Sequence, residues 1–485
     1  MKILLVTGRL AEQEVRKAAD RLGAGVLVLP VEVAQFITPR AAVEKLRSSN
    51  GYNTVIFPGF VRFDVSEVEK EIKIPCFKGP RYSSDIVEVI QKNIRLSKTE
   101  PADAFLKASG RERYKRAVAD AEKERPRFNI GMLKIGAGMP PRIVAEIVDA
   151  PLLTDEQVLR RAEYYLKSGA DIIDIGAVAG EDNSERIRSI VKFLKHKIKA
   201  PISIDSLNPK EINAAIDAGA NMVLSLNSEN MRHVEKWPDV AYVVIPDGNI
   251  QSLLQNLKDA EKLGFQKIIA DPILSPPFRV AESLYQYFDV RRLYKTQPML
   301  MGVANVAELM DADSIGVNAL LAELAVELGI SLLLTTENSP KTRGSVRELK
   351  KALEMCFLAR SLGTQPKDLG FDLLVAKGKA PGEVIRPDAQ LIEAKENTKF
   401  KPDDKGYFTI SVDLNKGKII AAHYKKGYDI VFEGEGAEAI SKKIIESRLL
   451  SRQEHAAYLG RELQKAEICL KLGKAYVQDE ELFGL

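Results

Sequence analysis

Histidine, cysteine and tryptophan are scarce in this chain, at 4, 3 and 1 of 485 residues. His196, His233, His423 and His455 lie far apart, so a multi-histidine metal site is not expected. Cys76, Cys356 and Cys469 show neither metal-ligand spacing nor a disulfide framework, which fits a reducing compartment. No apolar run approaches the ~18 residues of a membrane span. The start MKILLVTGRL has no cleavage-site pattern and reads as a first buried strand, not a signal peptide. A cytoplasmic protein is the expectation. A long basic block is also missing and the net charge is only +4, so neither nucleic acid nor a membrane is an expected partner. What is present is ordinary for a globular chain: 45% hydrophobic and 28% charged residues. Helical stretches rich in Lys, Arg and Glu are compatible with a thermophilic source.

The length predicts several domains. Residues 1–97 alternate apolar strands (KILLVTG, GVLVLPV, NTVIFPG, IPCFKGP) with amphipathic helices, a small doubly wound, Rossmann/flavodoxin-like α/β domain. Its first turn, TGRLAEQE, has one glycine, so the dinucleotide fingerprint is missing; docking or oligomerisation is the expected role, with a ligand at the strand ends as the alternative. Residues 98–126 read as a charged, solvated helical linker. FNIGMLKI, GAGMPP and RIVAEIVDA predict a hairpin that feeds the next domain and plugs its bottom, with Gly136 and Gly138 as turn residues.

Between Ile143 and Thr336 a strand–turn–helix unit repeats eight times, which predicts a (β/α)8 TIM barrel over residues 127–363. The expected strands are 143–149, 171–176, 201–205, 221–226, 241–246, 267–271, 298–303 and 331–336, with a short helix near 230–236. Helix entries carry expected caps at Thr154, Ser184 and Asn208, the last ahead of Pro209. From 364 to 485 a hairpin turning at Asn415–Gly417, a third strand and two helices predict an α+β domain. One face of its last helix carries His455, Tyr458 and Glu462, which pack or touch substrate.

In such a barrel the strand C-termini share one mouth. Asp174, Asp205, Asn208, Asn227, Asp271 and Asn305 are therefore expected to meet there. A strand-end carboxylate can accept two N–H bonds from a flat edge such as that of an aminopyrimidinone. A nearby asparagine can read ring nitrogen and carbonyl together. The alternative for each is that it caps the following helix, most plainly for Asn208 and Ser184. Phe278, after Pro276–Pro277, could stack on a ring or simply shape the loop.

GADIIDIG, then PISIDSLN with the following asparagine, then ADPIL together resemble the strand-two, -three, -four and -six motifs of dihydropteroate synthases, over about residues 129–362. The resemblance implies a pterin-binding barrel in which Asp205, Asn227 and Asp271 contact the ring. Several segments depart from it. AEIVDAPLLTDE stands where those enzymes have their diphosphate-binding loop, with Glu146 in place of an asparagine. MGVANVAEL lacks their strand-seven lysine. TTENSPKTRG replaces their arginine and histidine, leaving Lys341 and Arg343 as candidate anion-binding residues. MGVANV is more similar to methyltetrahydrofolate–corrinoid methyltransferases, which implies Asn305 and Asn208 at the pterin, with Asp174 near it in both groups. The whole chain resembles archaeal dihydropteroate synthase-related proteins of methanopterin-type one-carbon metabolism.

Three functions follow as expectations. The first is a dihydropteroate synthase-like transferase joining a dihydropterin methyl carbon to an arylamine, with Mg2+ admitted for the departing diphosphate. The second is methyl transfer between a reduced pterin (folate or methanopterin type) and a corrinoid protein. The third is a non-catalytic pterin-binding module. No catalytic residue and no protein-held metal is assigned, and the resemblance implies a homodimer.

Overall fold

The computed structural model describes all residues except 1, 50, 82, 368, 378–389, 391, 393–400 and 484–485. Contacts divide the chain into two units, Met1–Arg386 and Pro387–Leu485.

The first unit opens with four parallel strands, β1 (Ile3–Thr7), β2 (Gly25–Val28), β3 (Thr54–Phe57) and β4 (Cys76–Lys78), in the order β2-β1-β3-β4. Alternate residues of β1 face opposite ways. Leu4 and Val6 join a core with Ala42, Leu46 and Val68, while Ile3 and Leu5 pack on Val15, Ala18 and Ile86. Helices therefore cover both faces, as a parallel sheet requires. The charged stretch that follows is the helix Ala102–Ala121. It is not merely solvated: Tyr114, Ala117, Val118 and Ala121 pack on the barrel core.

A short antiparallel hairpin, β5 (Phe128–Ile130) with β6 (Leu133–Ile135), precedes the barrel. The barrel strands are β7 (Arg142–Ile147), β8 (Ile172–Gly176), β9 (Ile202–Asp205), β10 (Met222–Leu226), β11 (Ala241–Val244), β12 (Lys267–Ala270), β13 (Leu300–Gly302) and β14 (Leu332–Thr336). All pair in parallel, with β14 beside β7, and an Ala270–Met299 bridge joins the remaining seam between β12 and β13. The inward residues Val144, Ile172, Met222, Leu224, Val243, Ile269, Leu300 and Leu332 form one interior cluster, and Ile130 and Ile135 of the hairpin belong to it. The hairpin thus plugs the barrel. The outward residues of the strands pack on the ring of helices.

Element boundaries fall close to those expected, with two differences in the cap and turn chemistry. Residues 230–233 form turns and 234–236 are irregular, so no helix forms there. Asn227 and Asn230 exchange side-chain-to-backbone bonds there, and such bonds compete with helical ones. Ser184 does not cap its helix but is its first residue, bonded to Asp182. Thr154 and Asn208 cap as expected, Thr154 in a capping box with Gln157.

In the second unit β15 (Tyr407–Asp413), β16 (Lys418–Tyr424) and β17 (Tyr428–Gly434) form an antiparallel sheet. Phe408, Ile410, Ile419 and Ala421 bury one sheet face against Ile440 and Ile444 of the helix Ala437–Glu446 and Leu459 and Leu463 of the helix Gln453–Leu472.

Candidate functional site

Parallel register decides which side chains share a level of the barrel. Glu146 on β7 pairs with Asp174 on β8, which pairs with Ser203 on β9. Val144 and Ile172, two residues earlier, are interior, and side chains alternate along a strand. Glu146, Asp174 and Ser203 therefore point inward one level above them, and Asp205 stands one level higher. Asp271, directly after β12 and two residues beyond interior Ile269, points inward too.

Carboxylate oxygens of Glu146, Asp174 and Asp205 lie within 4.8 Å of one another. Ser203 donates its hydroxyl to Asp174 Oδ1 at 2.5 Å. Asp174 Oδ2 is buried and, among the described residues, has no partner. Asp271 Oδ1 accepts the Tyr287 hydroxyl at 2.7 Å and the Ile273 amide at 2.8 Å.

Burial dominates the electrostatics. Burial, then the charges of Asp205, Glu308 and Asp149, pushes Glu146 up to about 8. Burial, then Asp205 and Glu146, raises Asp174 well above the ordinary carboxylate range. Burial followed by Asp271 pushes Asp205 up to about 6. Asp271 also reaches about 6 through burial, against the opposing bonds from Tyr287 and Ile273. Among the described residues, no cation is a leading influence on these four acids. Like charges this close and dry do not all ionise, so the Glu146–Asp174 pair holds a proton at neutral pH.

Each expected asparagine bonds to nearby backbone. Asn227 Oδ1 accepts the amides of Glu229 and Asn230 at 3.1 and 3.0 Å, and the residue in register with Asp205 is Leu224. Asn208 Oδ1 accepts the Lys210 amide at 3.0 Å as a helix cap. Asn305 Nδ2 donates to the Leu274 carbonyl at 2.8 Å, tying the short helix Ala304–Ala307 to the loop after β12. Lys341 pairs with Asp311 at 3.0 Å on the surface, and Arg343 is engaged as well.

Sequence reasoning left Glu146, Ser203 and Tyr287 outside the site. Period-two alternation with Val144 and Asp205 could have found the first two. Nothing local marks Tyr287. The mouth loops also hold non-glycine residues in the left-handed region: Asp149 (φ 49°), Ile273 (φ 67°) and Phe278 (φ 81°). Ile273 is branched at Cβ, so its conformation costs ~1–3 kcal/mol, and the Asp271 carboxylate holds its amide. Phe278 is fully exposed.

His455, Tyr458 and Glu462 belong to the second unit's own network. His455 Nδ1 bonds Asp403 at 3.2 Å, Tyr458 donates to Asp479 at 2.8 Å, and Tyr476 donates to the buried Glu462 at 3.0 Å. Burial alone would raise Asp403, but bonds from Ser451, Lys405 and His455 outweigh it and hold the carboxylate well below its usual range.

Residues 149–246 match the family described as Pterin binding enzyme, and residues 402–479 the family described as PterinBD-DUF4346. The uncharacterized protein MJ0107 of Methanocaldococcus jannaschii is 36% identical over 521 aligned positions, covering 100% of this chain and 99% of that protein. A dihydropteroate synthase of Clostridium beijerinckii is 32% identical over 106 positions, 20% of this chain and 39% of the synthase. Among solved structures, Xanthomonas albilineans dihydropteroate synthase with 4-aminobenzoic acid is similar at 20% identity and a TM-score of 0.37. That match covers 44% of this chain and 90% of the other.

Proposed function

We propose, from the premise that this chain belongs to one family with the Methanocaldococcus jannaschii protein and carries a dihydropteroate synthase-related barrel, that it binds a reduced pterin at the acid-lined mouth and acts on it as a transferase. One observation carries the reading: Asp205 and Asp271 stand inward at the ends of β9 and β12, with β10 and β11 between them around one mouth, and no cation among the described residues is a leading influence on either. An ionised carboxylate there accepts the parallel N–H bonds of an aminopyrimidinone edge, and the dry surroundings strengthen that contact. The proton held by Glu146 and Asp174 provides a donor for ring nitrogen or carbonyl. Asp174 Oδ2, buried and without a partner among the described residues, is available to meet a ligand. Asn208, Asn227 and Asn305 shape the loops around the ring in this reading.

The first reaction is synthase-like, joining the dihydropterin methyl carbon to an arylamine in folate or methanopterin-type metabolism. Stabilising its departing diphosphate needs positive charge, and Lys341 is paired with Asp311. The oxygens of Glu146, Asp174 and Asp205 form a hard donor set that fits Mg2+. Mg2+ held there would supply charge that Lys341 does not. The second reaction, methyl transfer from the pterin N5 to a corrinoid protein, is favoured by a different observation. Glu146 keeps a proton up to about 8, so an acid is available near the ring at neutral pH.

Calorimetric titration with a tetrahydropterin tests the binding. Asp271→Asn should weaken affinity about tenfold or more, the loss of one charge-assisted contact. Unchanged affinity sinks the pterin assignment. Turnover of hydroxymethyl-dihydropterin diphosphate with 4-aminobenzoate, against demethylation of an N5-methyl tetrahydropterin by cob(I)alamin, separates the two reactions.

A further inference from the structure

Positive charge gathers at the other end of the barrel, with no carboxylate paired to it among the described residues. Arg113 and Arg116, on the helix Ala102–Ala121, and Arg360, near the end of the helix Ser345–Leu362, line one cavity of about 460 Å3. Gly138, in the loop ahead of β7, lies at its edge. Barrel helices end and barrel strands begin on the face away from the mouth, so this cavity is remote from the acids described above.

The three guanidinium groups make no ion pair among the described residues. Arg113 donates one bond, from Nη2 to the Leu369 carbonyl at 3.1 Å, while its Nε is buried without a partner. Arg360 donates from Nη1 to the Val326 carbonyl at 2.6 Å. Arg116 is exposed and bonds to nothing among the described residues. The acid in the lining, Asp120, pairs with Lys123 at 2.7 Å. Arg291 adds a fourth cation nearby: burial, and then repulsion from Arg360, pushes it down to about 10. Its guanidinium is taken up by carbonyls, those of Leu328 and Gly329 among them.

Cations that converge on a cavity repel one another unless an anion joins them. Guanidinium forks match the oxygens of phosphate, and a phosphate dianion can serve three forks where a carboxylate serves two at most. The volume exceeds what the ion alone needs and falls in the range of small-molecule pockets. Ala117, Ala121 and Phe357 supply apolar wall beside the charges. We infer that this cavity binds a phosphate-bearing anion, its head on Arg113, Arg116 and Arg360 and any organic body against that wall. The site stands apart from the pterin reading and does not depend on it.

Calorimetry on the full chain at fixed ionic strength, with inorganic phosphate, diphosphate and adenosine monophosphate as probes, tests this. Saturable binding is expected for at least one probe, weakened about tenfold in Arg116→Gln and in Arg360→Gln and unchanged in Asp271→Asn. Tighter binding of the nucleotide supports an ester as ligand, and equal binding supports the free anion. Arg116 is exposed and makes no hydrogen bond or ion pair among the described residues, so its variant keeps the fold. Absence of saturable binding at millimolar probe overturns the site, as does binding that both arginine variants leave unchanged. Binding altered only in Asp271→Asn would move the anion to the mouth, overturning this site while leaving the pterin reading intact.

Discussion

Four carboxyl groups in one dry mouth give the protein a pH dependence with a definite sign. Folded, Glu146 titrates near 8 and Asp205 and Asp271 near 6, against about 4 for carboxyl groups in an unfolded chain. Between those limits the folded state binds more protons than the unfolded one. Stability from these groups is therefore full below about 4 and is lost as pH rises through about 6 and then about 8. Without ligand, the wild type should melt at a higher temperature at pH 5 than at pH 8, and Glu146→Gln should flatten the upper part of that slope. Identical wild-type and variant profiles would count against a buried, protonated Glu146. Pterin affinity should run the other way, tightening as Asp205 and Asp271 ionise through about 6. At this scale the sequence was legible where an acid follows an apolar run, as for Asp174, Asp205 and Asp271. It did not show that Asn227 Oδ1 bonds the turn after β10, nor that Leu224 stands in register with Asp205.

Elements were easier to read than the contacts between them. Apolar periodicity located the eight barrel strands and nearly every barrel helix, because a strand buried on both faces and an amphipathic helix leave different patterns. The hairpin of β5 and β6 shows how an element acts through packing. Ile130 and Ile135 are almost wholly buried among the lowest inward residues of the barrel. Ile135→Ala should lower stability by about 2–5 kcal/mol, the cost of a cavity in a closed core. Urea denaturation measures it, and a loss under about 1 kcal/mol would show that the plug contributes little. Pterin affinity should be spared, since the acids lie at the opposite end. The charged helix Ala102–Ala121 was harder to read. Its composition suggests a solvated connector, yet Tyr114, Ala117 and Val118 bury one face that charge density masks.

At the scale of the molecule, the homodimer that the resemblance implies has a candidate surface. Tyr285 and Phe288, three residues apart on the helix Val280–Leu293, are 65% and 56% exposed, and Leu320 on the helix Ser314–Glu327 is 62% exposed. Exposed aromatics grouped on a helix mark surfaces that a partner covers. Phe288→Glu should shift the sedimentation coefficient from dimer to monomer, and an unchanged dimer would place the interface elsewhere. By itself the sequence determined the barrel, the flanking α/β and α+β domains and the acids of the mouth, because burial patterns and strand-end positions are local and repeat. Only the tertiary structure decided which acids meet, that Glu146 and Tyr287 join them, that Lys341 is tied to Asp311, and that three arginines gather on the floor. Those facts depend on register between strands and on which helix ends converge, and no run of neighbouring residues encodes either.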